Sequence, residues 1–178
     1  MPYRVMLILV FSCWSMSLCA DEPSLGPVIV GYGPTFPIEN RDIGLLDDFK
    51  YKVVFDAATS SDDVAALNAR LVSVARFLNM HARNGVPREN MSLAVVLHGA
   101  ALKSALNNAA YKARYDISNP NLELVMELHR AGVEFFVCGQ SMAFGSVEKN
   151  ELASPAKVAL SAMTMLSVLQ ADGYALLP

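Results

Sequence analysis

The run LAVVL, residues 93–97, is apolar at every position. A strand with one face in water alternates apolar and polar side chains, so a run apolar on both parities is covered on both faces. A parallel sheet sandwiched between helices meets that requirement. Two further runs, YKVVFDAA (51–58) and VEFFVC (133–138), are short, β-branched and aromatic, and stretches of helical period separate the three. The expected fold class is α/β: a single layered domain with a mostly parallel sheet flanked by helices and joined by right-handed crossovers. With 178 residues, 53% of them hydrophobic, the chain can fill one core and is short for two.

The first helix is expected in SSDDVAALNARLVSVARFLNMHARNG. Ser60 or Ser61 would cap it, Asp62 and Asp63 would sit in its first turn, and Gly85 would end it. A second, shorter helix is expected over 100–113. A third lies in SNPNLELVMELHRAG, with Asn119 as cap, Pro120 in the first position and Gly132 past the end. AKVALSAM reads as a fourth strand, TMLSVLQADG as a helix and YALLP as a last short strand.

Two segments precede this pattern. Residues 1–20 join Arg4 to the apolar stretch 5–11 and end in small and polar residues at Ala20, the layout of a secretory signal peptide. The apolar stretch falls short of the roughly 20 residues that span a bilayer. Export to the periplasm with cleavage after Ala20 is the expectation. Residues 21–49 hold four prolines and four glycines without helical period, an extended leader with a short strand at 28–30 and with Phe36 and Ile38 available to pack on a domain. The domain proper is expected over 50–178.

Loss of the signal removes Arg4 from 14 Lys+Arg and leaves 13 against 17 Asp+Glu, a net charge of −4. No basic run occurs, so neither nucleic acid nor an anionic membrane is an expected partner. Cys13 and Cys19 leave with the signal, and Cys138 stays as a lone thiol that cannot form a disulfide within one chain.

Ligands of open parallel sheets collect beyond the carboxyl ends of the strands. Asp56 ends the first strand, His98 and Gly99 follow the second, and Cys138, Gly139, Gln140 and Ser141 close the third. Cys138, ahead of a helical turn near Ser141, would feel the positive end of the backbone N–H groups and gain thiolate character; cysteine is equally a small buried hydrophobe. His98 is placed to orient a substrate or exchange a proton with the thiol, or to bond backbone at a strand end. Asp56 either faces a ligand or caps the following turn. Lys103 either holds an anion or is a solvated charge. His81 and His129 lie on helices, on faces read as partly exposed, and receive no role. Cys138, Met142, His98, Met163 and Met165 are soft or borderline ligands suited to copper(I), although no Cys-x-x-Cys, His-x-x-x-His or carboxylate cluster accompanies them. No metal ligand and no cofactor is assigned, and phosphate-binding and nucleophile-elbow motifs are absent.

LAVVLHGAALKSAL, NPNLELVMELHRAGVEFFVCGQSM and VALSAMTMLSVLQADGYALLP, in that order, resemble the DsrE/DsrF-like family over residues 50–178, and the leader GYGPTFPIEN resembles its exported branch. The resemblance implies a compact DsrE-like α/β domain of flavodoxin-like topology, assembled as a homo-oligomer, a trimer or hexamer. It also implies a cysteine after a strand that accepts sulfur as a persulfide and passes it on, and Cys138 matches that position. In the sulfur-relay members an Arg-Gly pair follows the cysteine. This chain has Phe144-Gly145 there, so the cation does not carry over. Donor and acceptor proteins do not carry over either, because exported members stand outside the cytosolic relay. The alternative is a non-catalytic oligomeric protein of this fold that binds a small ligand, with Cys138 merely packed.

Overall fold

A computed structural model of the chain describes residues 22–46 and 48–178. Residues 1–20, expected to be a signal peptide and containing Cys13 and Cys19, lie outside the described residues. Five strands, β1 (Tyr51–Ala57), β2 (Met91–Leu97), β3 (Glu134–Cys138), β4 (Ala156–Ala159) and β5 (Ala175–Leu177), form one sheet in the order β4-β3-β2-β1-β5. Every pairing is parallel. This is the layered α/β class that LAVVL demanded: β2 is the central strand, and residues Leu93 to Leu97 are at most 1% exposed. The order departs from the 2-1-3-4-5 arrangement of flavodoxin.

The order dictates which face each helix covers. From β1 to β4 the chain steps always in one direction, and right-handed crossovers then keep all connecting helices on one side. Those helices are α1 (Ala69–Arg83), α2 (Asn108–Tyr115), α3 (Leu122–Arg130) and the short α4 (Gly139–Phe144). Leu71, Val74, Leu78, Tyr111, Leu124, Leu128 and Met142 from these helices share a core with Val53, Phe55, Leu93, Val95, Phe135 and Val137. Only the step from β4 back across the sheet to β5 reverses direction, so its helix, α5 (Ala162–Ala171), lies alone on the opposite face. There Val54, Ala94, Val96 and Cys138 meet Ala162 and Leu169.

Local expectations fail where long-range polar contacts win. The first helix begins at Ala69, capped by Asn68 and not by Ser60 or Ser61. Asn68 is 1% exposed; its Oδ1 accepts the Arg70 N–H at 2.9 Å and its Nδ2 donates to Thr59 O at 3.0 Å. Ser61 and Asp63 spend their side chains instead on local turns, accepting the N–H groups of Asp63 and Ala65. The helix expected over 100–113 is broken into a 3-10 segment (Gly99–Ala105) and α2, which Asn107 caps. Asn119 does not cap α3: it accepts the Asn121 N–H and donates to Ser104 O and Leu106 O, tying the loop to the 3-10 segment. β4 stops at Ala159, and Met163 belongs to α5 behind its cap Ser161.

The leader lies across α1, although not as anticipated. No strand forms at 28–30. Instead Asn79, fully buried, accepts the N–H groups of Val28 and Ile29 and donates to the carbonyls of Ile29, Tyr32 and Gly33. Ile29 enters the main core, while Phe36 and Ile38 stay exposed. At Gly33 φ is +66° and an added Cβ would meet Arg76 N at 2.3 Å, so the leader backbone touches α1 directly.

Candidate functional site

Cys138 is the last residue of β3 and the N-cap of α4. Strand alternation turns it onto the α5 face, where it is buried among Val54, Ala94, Val96 and Ala162. Its Sγ accepts the backbone N–H of Ser141 at 3.4 Å. Burial pushes the thiol up, but the Ser141 hydroxyl and the backbone N–H groups of Ser141, Ala162 and Gln140 outweigh it and hold the thiol below its ordinary value. The Ser141 N–H bonded to Sγ favours a thiolate, the form that attacks sulfur electrophiles.

Two glycines permit the cradle. An added Cβ at Gly139 would lie 2.8 Å from Ala159 O, so β4 approaches closely only because that position is bare. Gly99 has φ +51° and faces Ala58 O, where a Cβ would sit at 2.9 Å. Its N–H donates to Ser141 Oγ at 3.1 Å, which ties the exit of β2 to α4. Gln140 contributes its backbone N–H, while the residue itself is exposed.

Asp56 and His98 are also together. His98 Nε2 stands 2.6 Å from Asp56 Oδ1, and both side chains are roughly three-quarters covered, at 26% and 28% exposure. Of the two readings open for Asp56, turn cap or site residue, the structure gives a bond to His98. The remaining histidines diverge from one another. His129 is exposed on α3, but His81, expected to be partly exposed, is 8% exposed and stacks on Phe77 at 3.9 Å, with burial pushing its pKa down. Lys103 donates to Ser61 O at 2.6 Å and lies over the Tyr115 ring.

The soft-ligand set is not assembled. Met142 packs into the core on the opposite face from Cys138, and Met163 is 77% exposed. Among the described residues no group of three His, Cys, Asp or Glu converges as metal ligands. The 3-10 segment, α2 and α4 border a separate, open cavity of about 490 Å³, lined by Lys103, Arg114, Tyr115, Ser141 and Phe144 among others. Arg114 there is paired with Glu151 through two bonds of 2.8 and 3.0 Å. Cys138 and His98 do not line this cavity; only Ser141 and Gly99 connect it to the thiol.

Residues 50–178 match the DsrE/DsrF-like family. The chain belongs to that family. Two solved structures share its fold: a protein of unknown function, MTH1491, from Methanobacterium thermoautotrophicum, and the ychN protein from E. coli. The first is 17% identical with a TM-score of 0.55 and covers 72% of this chain and 98% of its own. The second is 12% identical with a TM-score of 0.52, covering 71% and 96%. At such identity the likeness shows the DsrE-like fold alone. No curated protein matches the sequence.

One site component escaped the sequence. Ala162, the first residue of α5, packs with Cys138 and its backbone N–H helps to lower the thiol, whereas residues 156–163 read as strand. Ser161 three residues before Thr164 was the available sign of a helix start, and its Oγ does accept the Thr164 N–H at 3.0 Å. Phe144, at the position where the family resemblance led to the expectation of an arginine, is 92% exposed.

Proposed function

We propose that this chain is an exported, periplasmic member of the family in which Cys138 accepts and carries sulfane sulfur as a persulfide. The supporting observation is the place of Cys138 at the end of β3, where Sγ accepts the Ser141 N–H at 3.4 Å and the thiol is held below its ordinary value despite burial. In the step, the Cys138 thiolate attacks the outer sulfur of a donor such as thiosulfate. The donor S–S bond breaks, sulfite leaves with the electron pair, and Cys138 holds the sulfur as S–S⁻, an anion the same donors can stabilise. A thiol of an acceptor then removes the terminal sulfur and restores the thiolate. Release of one sulfite per subunit from thiosulfate, lost in Cys138→Ser, is the expected result; equal release from both proteins would refute the reading.

The working form is proposed to be a homo-oligomer, a trimer or hexamer. Leu160, Met163, Val168 and Leu176 are exposed on or beside the face that α5 covers alone, and α5 (AMTMLSVLQA) carries no charge. Exposed apolar residues concentrated in this way favour burial against another subunit. Sedimentation of Met163→Asp with Leu160→Asp as monomers is expected. The 490 Å³ cavity favours a second reading, a non-catalytic small-ligand binder in which Cys138 is packed. That reading predicts slow native labelling of Cys138 that becomes fast only on unfolding.

A further inference from the structure

We infer that Asp56, His98 and Cys138 form a proton relay in which His98 takes the thiol proton and Asp56 positions and charge-balances the imidazole; this rests on Cys138 being the reactive thiol. Three adjacent strands supply the three residues. Val54 on β1 and Val96 on β2 pack on the α5 face together with Cys138 on β3. Two residues beyond Val54 is Asp56 and two beyond Val96 is His98, so alternation puts both on the same face as the thiol. His98 keeps extended backbone, φ −152° and ψ 178°, and alternation persists through it. Leu97 pairs with Val137 in the last rung of the β2–β3 ladder, so continuing that register would set the His98 backbone beside that of Cys138, at about the 4.8 Å spacing of neighbouring strands. The bond from Gly99 N–H to Ser141 Oγ holds the two strand exits together at that level.

The direction of proton flow follows from the donor inventory. A carboxylate only accepts, so a 2.6 Å contact between Asp56 Oδ1 and His98 Nε2 requires the proton on Nε2. In the neutral ring Nδ1 then carries the lone pair and can take a proton. Transfer from Cys138–SH to Nδ1 gives thiolate and imidazolium, with no change of oxidation state, and the Asp56 carboxylate faces the positive charge that results. Competing groups on this face sit at the far, amino-terminal ends of the strands. Lys52 is paired with Asp172 at 2.9 Å and lies over Tyr174, Lys157 is paired with Glu134 at 2.7 Å, and α5 contributes no ionisable side chain.

The experiment is the rate of Cys138 alkylation by a small neutral haloacetamide on the folded full-length protein, with thermal melting to establish folding. At pH 7, His98→Gln and Asp56→Ala are expected to react at least about tenfold more slowly than wild type. Asp56→Asn, which still accepts the Nε2 proton but carries no charge, is expected between them. At pH about 9.5, a unit above the ordinary thiol value of about 8.5, the variants are expected to regain the wild-type rate because no base is needed. Equal rates at pH 7 would overturn the relay. So would slowing of equal size at both pH values, which marks altered access and not altered ionisation. Sulfur uptake is read separately by mass. Alkylation that depends on His98 without sulfur uptake would leave the relay standing and defeat the sulfur-carrier reading. Sulfur uptake with His98-independent alkylation would do the reverse.

Discussion

Ser141 touches the site twice: its backbone N–H donates to Cys138 Sγ at 3.4 Å, and its hydroxyl accepts the Gly99 N–H at 3.1 Å. The hydroxyl also supports the thiolate. Ser141→Ala keeps the backbone donor and removes the hydroxyl, so the Cys138 pKa is expected to move up. Thiolate absorbance followed across pH reads this directly. A midpoint at or below wild type would show that the hydroxyl has no part in the cradle.

Backbone contacts at the two glycines predict a stability cost. Gly99→Ala combines a positive φ with a Cβ 2.9 Å from Ala58 O, and Gly139→Ala drives a Cβ to 2.8 Å from Ala159 O. Each is expected to lose about 1–3 kcal/mol in denaturant unfolding. A change within about 0.5 kcal/mol, the range of an unremarkable surface substitution, would contradict the packing described.

Asn79 predicts a separable leader. Asn79→Ala removes both acceptor and donor from buried backbone groups of Ile29 and Gly33 and half-buried ones of Val28 and Tyr32, at a cost of about 2–4 kcal/mol. Limited proteolysis is expected to cut within residues 22–40 in the variant well before the domain. A variant as resistant as wild type would mean that the leader is held by other contacts.

His81 predicts an acid-side loss of stability. Its folded pKa lies below the unfolded value of about 6.5 because burial disfavours the charged ring, so protons bind the unfolded chain more readily. The stability this gives is full above pH about 6.5 and is lost as pH falls through the depressed folded value. His81→Phe keeps the stack on Phe77 and the edge contact with Tyr51 at 4.5 Å, and is expected to flatten that part of the profile. Equal slopes in both proteins would rule His81 out as the source.

The layered parallel sheet was legible because apolar runs such as LAVVL admit few solutions, and the rim residues were legible because strand ends are fixed by those runs. Local cap signals were less informative. Ser60 and Ser61 looked like a helix start, but Asn68 has partners on Ser104 and Asn121 that no local window contains. The bond between Asp56 and His98 was hidden for the same reason, since 42 residues separate the pair and only the parallel register of β1 and β2 joins them. The strand order was hidden too, and with it the fact that α5 alone covers the Cys138 face. Nothing short of the sheet topology places Ala162 over the thiol.

Intact mass after treatment with polysulfide or thiosulfate asks whether Cys138 carries sulfur. The wild-type protein is expected to gain one sulfur atom, removable by a reducing thiol, and Cys138→Ser is expected to gain none. The same gain in the Cys138→Ser protein, or no gain in wild type whose Cys138 alkylates freely, would contradict a persulfide at Cys138.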